Sequence, residues 1–250
     1  MKIFFHPDFL EQYAFDPAAE PGRLDPALDA LRDGYTFSEP RPAEQEEILR
    51  VHTERHWRSI ASDELLLHTA LLAAGAALEA AETAVNGGQA FALCRPPGHH
   101  ASADSSWGFC YFNNIAVAVK HLLHQGKVES ALIVDFDLHF GDGTASIFQG
   151  DQAVKFWHSR EGAARRYTDI LEKDLQSCSS DLVAVSAGFD RGVDDWGGML
   201  TADDYYLIGT LLGDYARQKC GGRLFAVLEG GYNPMALAGN IESFLEGLRE

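Results

Sequence analysis

Residues 134–144 have the sequence VDFDLHFGDGT. They begin within a mainly apolar segment, Ala131–Phe136, that we predict to be a buried strand. Asp135, Asp137 and His139 occupy alternate positions, so their side chains point to the same side wherever the chain is extended. A carboxylate and an imidazole two residues apart suit a borderline metal ion such as Zn²⁺. The stretch therefore indicates a buried strand that ends in a candidate metal site.

Short apolar runs of this kind alternate with helical patterns along the chain. The predicted strands are Lys2–Phe5, Ala90–Leu93, Ala131–Phe136, Ala153–Trp157, Leu182–Ser186 and Leu224–Leu228. The predicted helices are Ala43–Ile60, Leu65–Val85, Asn113–His124, Arg165–Ser177, Ala202–Gln218 and Ala236–Leu248. Pro and Gly cluster between Pro17 and Pro42, which predicts loops there. The alternation predicts an α/β fold of three αβα layers with a mainly parallel central sheet.

Polar residues collect where four of the predicted strands end. They belong to the segments RPPGHH (95–100), DFDLH (135–139), SAGFD (186–190) and EGGY (229–232). Open α/β sheets bind their ligands at the carboxyl ends of the strands, and chance would scatter these residues. We therefore predict that the four segments meet in an active site.

Within that site, Asp137, His139 and Asp190 are the predicted metal ligands, with a further position left for water or substrate. Taken singly, each of these residues could instead cap a strand end or fill the core. His99 and His100 are adjacent in a loop rich in Pro and Gly. An imidazole titrates near neutral pH, so this pair could take a proton from water and return one to a leaving amine.

Each imidazole needs a partner on its second ring nitrogen to fix its tautomer, and Asp135 and Asp142 are the nearby carboxylates. Tyr232 follows two glycines, which allow the backbone to approach a ligand closely. Its phenol could donate a hydrogen bond to a developing oxyanion. A core role would explain Tyr232 equally well if it is considered alone.

Composition and charge indicate the number of domains, the classes of binding partner and the cellular location. The 250 residues are 46% hydrophobic, which predicts one domain over residues 1–250. The net charge of −17 repels phosphates and anionic lipids, so we expect neither nucleic acid nor a membrane as partner. The apolar stretch Thr69–Ala81 is too short to span a bilayer. The absence of a signal-like start and of CxxC pairs favours a cytoplasmic location with reduced thiols.

The chain resembles the histone deacetylase and acetylpolyamine amidohydrolase family, within the arginase–deacetylase superfamily. The resemblance rests on RPPGHHA (95–101), WGFCYFNNIAVA (107–118), DFDLHFGDGT (135–144), SAGFD (186–190) and EGGYN (229–233). It implies a zinc-dependent amidohydrolase that removes an acetyl or related acyl group from acetyl-lysine side chains. Small acetylated amines such as acetylpolyamines are the alternative substrates.

The resemblance also implies roles for individual residues. Zinc would be held by Asp137, His139 and Asp190, and His99 and His100 would be the catalytic pair. His99 would hydrogen bond to Asp135, and His100 would hydrogen bond to Asp142. The phenol of Tyr232 would polarise the substrate carbonyl. The resemblance further places an aromatic channel wall at Phe109 beside Gly108, and a structural K⁺ beside Asp135.

Some features depart from the family pattern. The segment after His52 lacks an obvious acidic residue that would grip the substrate backbone, and Asp63 is a poor candidate. Residues 158–168 lack the usual Phe- and Gly-rich segment, which leaves Trp157 as a guess for the second aromatic wall. The serine that the family usually has near the strand end at 156–158 is displaced, which argues against the structural K⁺ site. We therefore predict shortened rim loops and a wider, shallower mouth. A binding protein without catalysis and a two-manganese arginase-like enzyme are the remaining alternatives.

Overall fold

A central sheet of seven parallel strands organises residues 1–250, all of which the computed structural model describes. The strands are β1 (Lys2–Phe4), β2 (Thr36–Ser38), β3 (Gln89–Ala92), β4 (Ala131–Asp135), β5 (Val154–His158), β6 (Val183–Ala187) and β7 (Leu224–Leu228). Their order across the sheet is β2-β1-β3-β7-β6-β4-β5. Strands β4, β6 and β7 are buried throughout, as expected for strands covered on both faces.

Nine α-helices cover the sheet. They are α1 (Asp25–Leu31), α2 (Gln45–Leu49), α3 (Glu54–Ile60), α4 (Glu64–Val85), α5 (Asn114–His124), α6 (Asp142–Ile147), α7 (Ala164–Gln176), α8 (Ala202–Lys219) and α9 (Pro234–Arg249). Helix α4 packs against β1, β3, β7 and α5, whereas α1, α7, α8 and α9 form a second layer through contacts with one another. The predicted three-layer αβα architecture is therefore confirmed.

Helix α4 is the longest helix of the chain, and it is rich in apolar residues. With 22 residues, the helix is long and apolar enough to cross a bilayer by length and composition alone. The apolar stretch Thr69–Ala81 that was identified from the sequence is too short to do so. Within the fold, however, 61% of its most apolar window is buried. A Cβ atom on Gly75 would collide with the backbone carbonyl of Arg41, so α4 lies close against the neighbouring chain. Core packing accounts for its composition.

The predicted helix Ala43–Ile60 is wrong, because it is divided into α2 and α3. The imidazole of His52 is buried between them: Nδ1 lies 2.9 Å from the carbonyl oxygen of Ser102, and Nε2 accepts from the backbone of Asn113 at 2.9 Å. The hydroxyl of Thr53 then caps α3. These long-range hydrogen bonds outweigh the local helical pattern.

The predicted loop from Pro17 to Pro42 is also wrong in part, because it contains α1 and β2. Strand β2 is three residues long, which is too short for an alternating pattern to show. Helix α1 starts with a proline in its first turn and turns Ala27 and Leu31 inward. Helix α6 was not predicted either; it starts at Asp142, directly after the site segment.

Candidate active site

The four polar segments lie at the carboxyl ends of β3, β7, β6 and β4, which are consecutive neighbours in the sheet. Asp137 and His139 follow β4, and Asp190 follows β6. The metal-ligating atoms of these three residues all lie within 4.8 Å of one another. Nδ1 of His139 is 3.0 Å from Oδ2 of Asp190 and 3.3 Å from Oδ1 of Asp137. The structure thus brings together the three predicted ligands.

The chemistry of this cluster fits a divalent cation. Asp137 and Asp190 are buried carboxylates placed side by side. Asp137 accepts from the backbone of Gly230 and His139, and Asp190 accepts from the backbone of Leu138. Oδ2 of Asp190 is buried and makes no well-directed hydrogen bond, although Nδ1 of His139 lies 3.0 Å from it. Burying two like charges in this way is costly unless a cation offsets them. Two carboxylates and one imidazole form a three-ligand set that leaves a zinc coordination position open.

The protonation equilibria of the cluster reflect the same crowding of charge. Burial and the charge of Asp137 raise the pKa of Asp190 to about 6. Burial also acts to raise the pKa of Asp137, but the imidazoles of His99 and His139 outweigh it and hold that pKa low. Hydrogen bonding to Asp137 and the adjacent carboxylate of Asp190 raise the pKa of His139 to about 10. Without a metal, His139 therefore carries a proton at neutral pH.

Metal binding is accordingly expected to release a proton. His139 must lose its proton to act as a ligand. The affinity of the protein for Zn²⁺ should therefore rise about tenfold per pH unit between pH 7 and 9. Calorimetric titration in two buffers that differ in ionisation enthalpy measures the protons released. The variant His124→Ala, which removes an exposed imidazole, should behave like the parent protein. Equal heats in the two buffers would contradict the assignment of His139.

The histidine pair lies beside the metal cluster, and each imidazole has the predicted carboxylate partner. Nδ1 of His99 is 3.0 Å from Oδ2 of Asp135, and Nδ1 of His100 is 2.6 Å from Oδ1 of Asp142. The two rings are 4.1 Å apart between centroids. The indole of Trp107 donates to the second oxygen of Asp142 at 2.9 Å. These contacts fix the ring orientations and leave both Nε2 atoms free of the two carboxylate partners.

The two imidazoles have different affinities for a proton. Burial lowers the pKa of His99, but the charges of Asp137 and Asp135 outweigh it and raise that pKa well above the usual value. Burial and the charge of His99 lower the pKa of His100. A divalent ion bound to Asp137 would offset much of the field that raises the pKa of His99. Titratable neighbours with separated pKa values are suited to acid–base work.

Glu229 supports the histidine loop, a role that sequence reasoning missed. Its carboxylate accepts from the backbone of Gly98 at 2.7 Å and of His99 at 3.1 Å, and from the Ser186 hydroxyl at 3.1 Å. Glu229 could also share a metal with His99 and Cys110, since their ligand atoms are close together. Its oxygens are already satisfied by these donors, however, and burial raises the pKa of the Cys110 thiol. We therefore interpret this group as a hydrogen-bonded support.

Aromatic side chains surround the open side of the metal cluster. This aromatic collar consists of Trp107, Phe109, Trp196 and Tyr232. The Tyr232 ring stacks on Trp196 with centroids 4.0 Å apart, and it meets Phe109 edge-on at 5.9 Å. Backbone amides of residues 232 and 233 donate to Oδ2 of Asp195, which anchors the Tyr232 loop.

Gly108 is required by the close approach of the collar to the histidine pair. It has a φ of 59°, and a Cβ atom there would lie 2.5 Å from the His100 ring. Phe109 follows with a φ of 66°, which is uncommon for a bulky residue and aims its ring toward Tyr232. The structure thus places Gly108 and Phe109 at the mouth of the site.

Comparison with known proteins identifies the family. The Histone deacetylase domain model matches residues 18–159 and 155–248. The chain belongs to the histone deacetylase family. A probable deacetylase of Archaeoglobus fulgidus is 33% identical over an alignment of 292 residues, which covers 92% of this chain and 81% of that protein. The HDA15 HD domain has a TM-score of 0.85 and 25% identity, over 98% of this chain and 88% of that one.

Other relatives of this histone deacetylase family member are longer proteins. A probable deacetylase of Methanothermobacter thermautotrophicus is 35% identical over 215 residues, covering 72% of this chain and 64% of that protein. Polyamine deacetylase HDAC10 of Homo sapiens is 29% identical over 300 residues, covering 90% of this chain and 44% of that protein. This chain therefore spans less than two thirds of these two relatives.

One guess about the rim of this deacetylase-family site is wrong. Trp157 does not form the second aromatic wall, because it is buried under α7, where its indole donates to Asp174 at 2.9 Å. Trp196 stands at the mouth instead, 6.0 Å edge-on from the His139 ring. Asp63, a poor candidate for gripping the substrate from its sequence position, caps the start of α4 by accepting from the backbone of Leu66.

Replacing Trp196 with alanine is expected to lower kcat without removing the metal. The indole holds the Tyr232 ring in place, and an aromatic pair is worth about 0.5–1.5 kcal/mol, which corresponds to a loss of up to about tenfold. Steady-state kinetics and the zinc content of the purified variant check this. Trp196→Phe keeps a stacking ring and should retain most of the activity. An unchanged kcat in Trp196→Ala would show that the stack does not position Tyr232.

Proposed function

We propose that this chain is a zinc-dependent deacetylase that hydrolyses the acetyl or related acyl amide of acetyl-lysine side chains to acetate and a free amine. A single catalytic domain over residues 1–250 would carry the activity. The proposal rests on one observation: two buried carboxylates and an imidazole lie close enough together to bind one metal ion. Two further imidazoles, each in contact with its own carboxylate, and a phenol lie beside this cluster. The match to the Histone deacetylase domain model supports the reaction class.

In the proposed reaction, zinc held by Asp137, His139 and Asp190 supplies Lewis acidity and lowers the pKa of a water. The chain contributes the proton transfers and the oxyanion contact. Nε2 of His100 takes a proton from the attacking water and later donates one to the amine nitrogen that leaves. His100 suits this role because its pKa is lowered and its Nδ1 is fixed by Asp142.

The other residues hold charge and exclude water in this scheme. His99, buried against Asp135, is held in a fixed orientation beside the metal cluster. The Tyr232 hydroxyl donates to the developing oxyanion. The ring of Phe109 packs along the apolar stem of the substrate.

Acetylpolyamines are the second candidate substrates, and one surface feature favours them. A groove of about 440 Å³ adjoins Tyr232 and is lined by Gln12, Phe15, Asp16, Pro17 and Glu20. Its two carboxylates, together with the net charge of −17, would attract a distal ammonium group. Polyamine deacetylase HDAC10 is among the relatives that this chain resembles.

Metal analysis of the purified protein combined with a substrate panel tests the proposal. The panel contains an acetyl-lysine peptide, the same lysine in butyryl form, and acetylputrescine. Stoichiometric zinc and release of acetate from the peptide are the expected results. Faster turnover of acetylputrescine would favour the second candidate. Binding of acylated amines without turnover of any of them would indicate a binding protein, and activity that requires two manganese ions would indicate an arginase-like enzyme.

A further inference from the structure

Arg191 is a buried cation that directly follows the metal ligand Asp190. Only 3% of its surface is exposed. Its Nε donates to the backbone carbonyl oxygens of Phe136 at 3.1 Å and of Asp137 at 3.0 Å. Its Nη2 donates to the carbonyl oxygen of Ser159 at 2.7 Å. The guanidinium therefore joins the backbone at the ends of β4 and β5.

These contacts are unusual for a buried arginine, because they are with carbonyl dipoles and not with a carboxylate. Arg191 makes no ion pair within 4.0 Å, although its charge and that of Asp135 both act on the neighbouring imidazole of His158. The guanidinium also lies over the ring of Tyr167, 4.9 Å from its centroid. A cluster of backbone carbonyls with acidic residues close by is the environment that suits a dehydrated monovalent cation.

The structural K⁺ expected beside Asp135 does not fit this surrounding. Oδ1 of Asp135 accepts from the backbone of Asp137 at 3.0 Å, and Oδ2 contacts His99 at 3.0 Å. The Asp137 carbonyl oxygen already accepts from Arg191 at 3.0 Å, and Nε2 of His158 lies 3.1 Å from it. The side-chain oxygens of Asp135 and the carbonyl oxygen of Asp137 thus already have protein partners where K⁺ would have to bind.

We propose that the Arg191 guanidinium takes the place of a structural monovalent cation and positions the metal ligands Asp137 and Asp190. It holds the backbone of the first and is covalently joined to the second. The protein would then keep its metal site assembled without K⁺ or Na⁺. This inference rests on the proposed metal site, but it does not depend on the identity of the substrate.

The parent protein provides the first test. We expect the melting temperature to be the same in KCl, NaCl and choline chloride at equal ionic strength, because the three salts then screen charges equally. The zinc affinity should also agree among the three salts, to within roughly twofold. Zinc affinity is read by competition with a chromophoric chelator. A zinc affinity or melting temperature that rises specifically with K⁺ would overturn the proposal.

The variant Arg191→Ala provides the second test. Zinc affinity should fall about 10–100-fold in choline chloride, as is typical when a residue behind a metal ligand is removed. KCl should restore part of it, because K⁺ can enter the vacated carbonyl cluster. A loss that is equal in all three salts would overturn the proposal, since Arg191 would then act only through packing.

Three further variants complete the design. Arg191→Lys retains a cation and should remain insensitive to K⁺. Arg191→Gln removes the charge but keeps a side-chain donor, and it replaces the alanine variant if that protein does not fold. Arg166→Ala removes an exposed guanidinium on α7 and should match the parent protein in every salt. If the parent binds no zinc, the proposed function fails, while the melting temperatures still decide the role of Arg191.

Discussion

Replacing Asp137 with asparagine is expected to remove bound zinc and amide hydrolysis together. Asp137 offers Oδ1 toward His139 while Oδ2 accepts from Gly230, so an amide nitrogen at either place would face a donor. The variant would also lose half of the negative charge that buried Asp190 and Asp137 provide for a divalent ion. A bound metal supplies several kcal/mol of transition-state stabilisation, so turnover should fall on the order of 10³-fold or more.

Zinc content by elemental analysis and acetate release check this expectation. Asp194→Asn is the matched control, because it makes the same chemical change on an exposed carboxylate four residues from Asp190. The melting temperatures of the metal-free proteins establish that Asp137→Asn is folded. Normal zinc content in folded Asp137→Asn would contradict the ligand assignment, and normal turnover without zinc would contradict the metal-dependent reaction.

The polar segments could be recognised in the sequence because each is short and follows an apolar strand. Alternation predicted that Asp137 and His139 would share a side while Phe136 packs into the core, and the Phe136 ring does lie against Phe189 and Phe244. The order of the strands was not accessible, because nothing local indicates which strand lies beside which. The structure shows that the four site strands are consecutive neighbours, which brings Asp190 against the β4 segment.

The rim was predicted less well, because side-chain direction there depends on details that a pattern does not carry. Phe156 and His158 of β5 face Phe140, so Trp157 between them must face the opposite side. Trp196 lies in an irregular loop without periodicity, and only the fold brings it to Tyr232.

Supporting residues were missed for a related reason. Glu229 and Asp195 act through hydrogen bonds to the backbone of distant loops, and Arg191 acts through carbonyls at the ends of two strands. Backbone partners leave no trace in the identity of the residues they belong to. A glutamate followed by two glycines and an arginine beside a predicted ligand were the available signals, and neither defines a partner.

Replacing Tyr232 with phenylalanine is expected to leave zinc in place and to cut kcat by about 10²–10³, the usual cost of losing an oxyanion donor. The aromatic ring is kept, so its stack on Trp196 and its edge contact with Phe109 should persist. The substrate stem would meet an unchanged wall, and KM should therefore change much less than kcat.

The protonation state of the phenol sharpens this test. Burial and the nearby charge of Asp137 raise the pKa of Tyr232 well above its usual value, so the hydroxyl remains a donor over the whole working pH range. The pH profile of kcat should consequently keep its shape in Tyr232→Phe and only fall in height. Tyr206→Phe, which removes a partly exposed phenol on α8, is the matched control and should retain full activity. An unchanged kcat in Tyr232→Phe would mean that the oxyanion is held without this residue, and a loss of zinc would mean that Tyr232 supports the metal cluster instead of the reaction.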